Sequence, residues 1–175
     1  MVVLLCEDKM TIDLPSQPGT YCLVFSCSTS SPVTIGKLGT YQINPGYYCY
    51  IGSAFGQGGL KSRINRHLQI NKRHHWHLDY LISHLTPLNI YYSTDTIKQE
   101  CQWAELLFED EQSSIPIKKF GSSDCNCPAH LFYYEFNPQL KTFPPQCLTI
   151  VLQSSVAQKV ERPPTLKGKD TPPVP

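Results

Sequence analysis

Two short runs set the limits on what this chain can fold into. TYCLVFSC (20–27) and YYCYIGSA (47–54) are dense in β-branched and aromatic residues. Each follows a turn former, Pro18-Gly19 before the first and Asn44-Pro45-Gly46 before the second. Runs of this length and composition are buried strands rather than helices. Between them lie a loop, STSSP (28–32), and the glycine-punctuated VTIGKLGTYQI (33–43), which predicts an extra strand pair. After the second run a glycine-rich bend, FGQGG (55–59), changes the period. Leu60, Ile64 and Leu68 recur at i, i+4 and i+8, which predicts a helix. HWHLDYLISHL (75–85) predicts a second helix, with Leu78, Leu81, Ile82 and Leu85 on one face and Pro87 as its stop. NIYYS (89–93) reads as a strand. Thr96 to about Asp110 reads as a third helix with Ile97, Cys101, Ala104, Leu107 and Phe108 inward. HLFYYEF (130–136) is the last strand, after a long loop over 111–128. No internal repeat is evident, and the order describes a small α+β domain.

A single core is within reach of 175 residues that are 41% hydrophobic and 17% charged. From about Ser154 onward Lys, Pro and Thr replace core formers, with Pro163, Pro164, Pro172, Pro173 and Pro175. The expectation is therefore one domain over 1–152 and a disordered Pro-rich tail over 153–175. A net charge of +1 makes the whole chain no polyanion trap, so any nucleic-acid contact must come from local clustering. MVVLLCEDKM has no basic segment before its apolar run, and no stretch approaches the ~18 apolar residues of a membrane span. A soluble, cytoplasmic protein with no membrane partner is expected. In that setting the eight cysteines are expected to be reduced thiols.

The chemistry-bearing residues fall in order along this frame. Tyr21 and Tyr50 sit on the two strands. Arg63 and His67, four apart, share a face of the first helix, and Glu100 lies at the third. Tyrosines, an arginine, a histidine and one carboxylate together suit phosphodiester hydrolysis. The carboxylate holds a divalent metal, the arginine neutralises developing phosphate charge, and a phenol or imidazole moves the water's proton. Taken singly, each tyrosine is more often a core aromatic and the arginine a solvated one. Glu105 competes with Glu100 for the metal but falls on another helix face. Lys61, Arg63, Arg66, Lys72 and Arg73 come with no acidic residue between 60 and 78, a stripe that suits phosphates and otherwise is a solvated face.

Five ordered segments resemble the GIY-YIG nuclease superfamily. PGYYCYIGSA (45–54), HWHLDYL (75–81), Glu100-Cys101 and SSDCNCPAHLF (122–132), with Gly19-Thr20-Tyr21 ahead of them, are similar to a branch of small prokaryotic members. The resemblance covers roughly residues 17–136. It implies a three-stranded antiparallel core sheet flanked by helices, here with an inserted strand pair. It also implies a metal-dependent endonuclease using one Mg²⁺ or Mn²⁺ on nucleic acid, with DNA the expected polymer and a repair- or restriction-like role. The alternative is a catalytically inactive nucleic-acid-binding module of the same fold. Carried over residue by residue, Tyr21, Tyr50, Arg63 and His67 are catalytic and Glu100 is the metal ligand. Lys61, Arg66, Lys72 and Arg73 become the nucleic-acid contacts. Three departures stand out: the two tyrosines are unusually far apart, Ser53 stands where some repair nucleases carry lysine, and no late asparagine is evident. One small domain offers little area for specific binding, so a homodimer, a partner protein or a structured substrate is expected to complete it.

The segment HHWHLDY (74–80) has no HExxH or C2H2 spacing. His75 lies eight residues after His67 and His77 ten after, so either fits the second histidine of some homing endonucleases. On this reading one of them lines the cleft, Asp79 fixes a ring, and Trp76 packs or stacks on a base. The plainer reading is a polar helix start with a core Trp76. Cys125, Cys127 and His130 resemble part of a zinc site, with Cys101 or Asp124 as the remaining ligand. The one-residue gap between the cysteines instead favours a buried turn capped by Asp124.

Overall fold

The computed structural model describes residues 12–138, 140 and 148–152. The expected tail, Cys6 and Cys147 lie outside the described residues. β1 (Thr20–Cys27) is central, with β4 (Gly46–Ser53) on one side and β5 (Thr86–Ser93) on the other, both antiparallel to it. β2 (Ser31–Ile35) and β3 (Gly39–Ile43) form the inserted antiparallel pair. α1 spans Gly59–Leu68 and α2 spans Glu100–Phe108. β6 (Ser113–Ser114), β7 (Leu131–Tyr134) and β8 (Leu148–Val151) complete the described strands.

The expected three-stranded sheet is instead six-stranded, in the order β6-β7-β4-β1-β5-β8. The outer edges of β4 and β5 do not stay bare. Tyr47–Tyr50 pair with Leu131–Tyr134, and Asn89–Tyr92 pair with Leu148–Val151. Pairing these edges satisfies backbone groups that would otherwise invite association. β8 was not foreseen, because four residues in a proline-flanked stretch carry little periodicity.

Alternation along β1 sorts the core into two halves. Tyr21, Leu23, Phe25 and Cys27 face one layer with α1, the inserted pair and the 78–85 leucines; Cys22 and Val24 face the other with α2. On α2 the buried residues are Trp103, Ala104 and Leu107. Ile97 and Phe108 are exposed at 69% and 55%, and Cys101 is exposed too, contrary to the expected inward set. Helix α2 starts later than predicted, since Asp95 Oδ1 accepts the Ile97 N–H and holds that residue in a turn.

The second expected helix is also replaced. Residues 77–80 and 82–84 are short 3₁₀ turns, while Leu78, Leu81, Ile82 and Leu85 still bury as the pattern required. Asp79 Oδ2 accepts the backbone N–H groups of His75 (2.9 Å) and Trp76 (3.0 Å). These bonds cap the start of the first 3₁₀ turn, with Trp76 as its N-cap. Pro87 does not simply stop a helix. It lies in β5, where the register against β1 shifts between Val24 and Phe25, as proline in a strand requires.

Candidate active site

The two tyrosine strands and the N-termini of both helices meet at one end of the sheet. Tyr21 pairs with Gly52 across β1 and β4, and a Cβ on residue 52 would overlap the Tyr21 hydroxyl. Glycine at 52 therefore lets the phenol lie across its neighbouring strand. The bend before α1 depends on glycine as well. Gly58 and Gly59 have φ of 80° and 53°, and a Cβ on Gly59 would strike the backbone oxygens of Ser16 and Gln17. With that space open, Gln17 O accepts the Leu60 N–H at 3.0 Å and Pro15 O the Lys61 N–H at 2.9 Å, satisfying the helix start.

The result is a cleft of about 440 Å³ whose walls include Tyr21, Tyr50, Arg63, His75, His77 and Glu100. His67 stands behind this wall, 1% exposed, and its Nε2 is 2.8 Å from the Tyr21 hydroxyl. Its Nδ1 faces Asp79 Oδ1 at 3.9 Å. A carboxylate can only accept, so it favours the proton on Nδ1 and leaves Nε2 to accept from Tyr21. Burial lowers the His67 pKa, with Asp79 working against that, so the ring is held neutral. Burial, with the neighbouring Tyr50, raises Tyr21 well above the usual phenol range. Burial and the Glu100 charge do the same to Tyr50.

Asp79 is the hub of this wall. Its side chain is fully buried, and besides the two backbone N–H groups it pairs with Lys72 Nζ at 2.8 Å and Arg66 Nη2 at 3.5 Å. Burial pushes its carboxyl up, but His67, Lys72 and the Trp76 and His75 N–H groups outweigh this and hold it far below the usual range. Lys72 is consumed here. Its side chain is only 5% exposed, and Nζ also donates to Arg66 O (2.6 Å) and His67 O (2.7 Å), closing the C-terminus of α1. The expected phosphate contact at Lys72 is thus corrected to an internal one. Lys61 and Arg73 are exposed and Arg66 partly so.

Trp76 is half-buried at the cleft and not a core residue. The Arg63 and Arg66 guanidiniums lie over its ring, 4.2 and 4.5 Å from the centroid. His77 Nδ1 accepts the Gly121 N–H at 3.0 Å, tying the 111–130 loop to the cleft floor, and burial lowers its pKa. His75 is exposed at the rim.

The facing wall is built on Glu100. It lines the cleft, whereas Glu105 is exposed on another face of α2. Ser53 Oγ donates to Glu100 Oε2 at 2.7 Å, Lys98 Nζ lies 2.9 Å from the same oxygen, and His130 Nδ1 lies 3.2 Å from Oε1. Burial raises the carboxyl, but His130, Ser53 and Lys98 bring it down to about 2. Ser53, which stands where some repair nucleases carry lysine, therefore grips the carboxylate itself. Lys98 was not foreseen. Its signal was proximity, two residues before Glu100 in a turn that Gln99 anchors to Thr20. Beyond Glu100, the side chains of Cys101, Cys125, Cys127 and His130 bring their ligand atoms within 4.8 Å of one another, a group that could hold a metal ion. Cys101, not Asp124, completes this set; Asp124 lines the cleft.

A family model described as "Domain of unknown function DUF123" matches residues 20–152. No curated protein and no solved structure matches the chain. Among the described residues, no helix is long and apolar enough to cross a membrane.

Proposed function

This chain belongs to the DUF123 family, and we propose that its cleft is the active site of a metal-dependent endonuclease of the GIY-YIG kind, acting on nucleic acid, with DNA the expected polymer. The observation that carries this reading is the convergence of Tyr21, Tyr50, Arg63 and Glu100 on one cleft, with His67 bonded to Tyr21 from behind. Glu100 fits a hard divalent cation: it is ionised, partly buried and open to the cleft. Mg²⁺ or Mn²⁺ held by Glu100 would supply Lewis-acid stabilisation of the phosphate. Lys98, whose side chain is 53% exposed, is the arm that must swing away to admit it.

The protein's own residues do the rest. Tyr21 receives the proton of the attacking water as its own hydroxyl proton passes to His67 Nε2. Asp79 stabilises the imidazolium formed. Arg63, held over Trp76, faces the charge that develops on the phosphate. Tyr50 positions phosphate or water by its hydroxyl. His75 and His77 line the same cleft, and Lys61, Arg66 and Arg73, on α1 and just after it, are the proposed nucleic-acid contacts. The GIY-YIG resemblance implies a repair- or restriction-like role, and the small area that one domain offers calls for a structured substrate, a second copy or a partner protein.

A panel of single-stranded, duplex, branched and damaged DNA and RNA, with Mg²⁺ and Mn²⁺, tests the reading. Metal-dependent cleavage lost in Glu100→Gln supports it; cleavage unaffected by that change rejects the site. One observation favours a second reading, a binding module without turnover: the Lys98 ammonium already neutralises Glu100. Tight binding with no cleavage across the whole panel would select it.

A further inference from the structure

We infer that Cys101, Cys125, Cys127 and His130 bind one Zn²⁺ ion, which staples the 111–130 loop to the first turn of α2. The four ligand atoms lie within 4.8 Å of one another, and the Cys125 Sγ to His130 Nε2 distance is 3.4 Å. With Zn–S near 2.3 Å and Zn–N near 2.0–2.1 Å, the edges of a tetrahedral site are about 3.4–3.8 Å. The group therefore stands within about an ångström of closure. Three thiolates and an imidazole are a closed, structural donor set, and their softness selects Zn²⁺ over Mg²⁺.

The surroundings are built for such an ion. With Nε2 turned to the thiols, His130 has its Nδ1 3.2 Å from Glu100 Oε1, near enough for the carboxylate to favour the Nδ1–H tautomer that a ligand bound through Nε2 needs. Lys119 Nζ donates to the carbonyl oxygens of Cys125 (3.3 Å) and Cys127 (3.1 Å), so the tight Cys-x-Cys turn is held before any ion arrives. Its charge also opposes the single negative charge of a zinc tris-thiolate. His130 is buried and pinned by main-chain bonds, its N–H to Phe120 O at 2.7 Å and its carbonyl to the Ile51 N–H at 2.9 Å. The loop it closes contains only the two-residue β6, and a connection of that length with so little regular structure needs a tie. Entry of Zn²⁺ displaces three thiol protons to solvent and leaves His130 neutral, with no redox change. Cys101, Cys125 and Cys127 are not joined in any disulfide.

The inference does not depend on cleavage, so its test needs no substrate. The full chain is purified under reducing conditions without chelator, and its metal content is measured by plasma mass spectrometry. One zinc per chain is expected. Exchange for Co²⁺ should give the visible absorption of a tetrahedral thiolate site. Cys101→Ser and Cys127→Ser should lose the ion, while Cys27→Ser, outside the cluster, should keep it. Glu100→Gln should weaken Zn²⁺ by about 10–100-fold in competition with a chelating dye. Zinc-free protein that gives no tetrahedral cobalt spectrum would overturn the inference. So would zinc retained by the Cys101→Ser/Cys127→Ser double variant, or a disulfide between these cysteines in the purified chain. If the variants fail to fold, the cobalt spectrum of the unaltered chain still decides.

Discussion

Asp79 and Glu100 are both ionised carboxylates beside the same cleft, and both are held below their ordinary range, yet their partners differ in kind. Asp79 is fully buried, and two of its donors are backbone N–H groups. Glu100 is gripped by a serine, a histidine and a half-exposed lysine, on the cleft surface. A carboxylate fastened to the main chain is architecture, because nothing that binds can replace those donors. A carboxylate held by a swinging ammonium is exchangeable, because a metal ion can take the lysine's place. The depth of the pKa shift does not separate the two roles, whereas the identity of the donors does.

The sharpest way to break this comparison is to neutralise each carboxylate in turn. Glu100→Gln keeps the shape and loses the charge that would hold a metal. Its single-turnover rate is expected to fall at least ~10³-fold, with nucleic-acid affinity nearly intact. Asp79→Asn strands Lys72 as a buried cation and offers it no anion, which is expected to lower folding stability by about 3–5 kcal/mol in chemical denaturation. If Asp79→Asn folds normally and Glu100→Gln unfolds the chain, the two assignments must be exchanged.

Next in size is the Tyr21–His67 bond. Tyr21→Phe removes the donor but keeps the ring, so the rate is expected to drop ~10²–10⁴-fold, the range of a positioned proton-transfer group. Stability should fall by only about 1–3 kcal/mol, since His67 Nε2 is left unsatisfied. A wild-type rate in Tyr21→Phe would make the phenol a packing residue.

The same wall predicts a pH signature. His67 is buried neutral, with its pKa below the ordinary 6.5. The unfolded chain therefore binds more protons than the folded one as pH falls through 6.5, and stability declines on the acid side of that value. Asp79 acts lower: its folded pKa is depressed from 3.8, so its contribution is intact above that value and is lost as pH falls further. In urea titrations across pH, His67→Gln should flatten the limb below 6.5, and Asp79→Asn only the limb below about 4. A shared effect on one limb would mean the pair titrates as a unit.

Much of this was legible in the sequence because it rests on local pattern. The strands at 20–27 and 47–54, the helix after the glycine bend and the inserted pair all follow from period and turn chemistry. Tyr21, Tyr50, Arg63 and Glu100 do converge on one cleft. What failed was decided by tertiary partners. The apolar period of 75–85 was real, but its leucines and isoleucine bury from two short 3₁₀ turns rather than from one helix. Lys72 looked like one cation in a basic stripe, and only the fold reveals the two carbonyls and the carboxylate that consume it. Cys101 seemed an inward helix residue. Its real neighbours are more than twenty residues away in sequence, across a loop without periodicity.

The smallest effect expected is also the one that bears most directly on Glu100. Lys98 is half-exposed, so its ion pair with Glu100 contributes little to folding, about 0–1 kcal/mol. Lys98→Ala should leave the melting temperature nearly unchanged. If the ammonium holds the place a metal would take, its removal should lower the Mg²⁺ concentration for half-maximal cleavage, by roughly 2–5-fold for a pair of that strength. If Lys98 instead moves onto the substrate phosphate once the metal arrives, KM should rise while the metal requirement stays fixed. Measuring rate against Mg²⁺ at saturating substrate, and against substrate at saturating Mg²⁺, separates the two. A variant that shifts neither curve would mean that Lys98 and the ion never compete for the same oxygen.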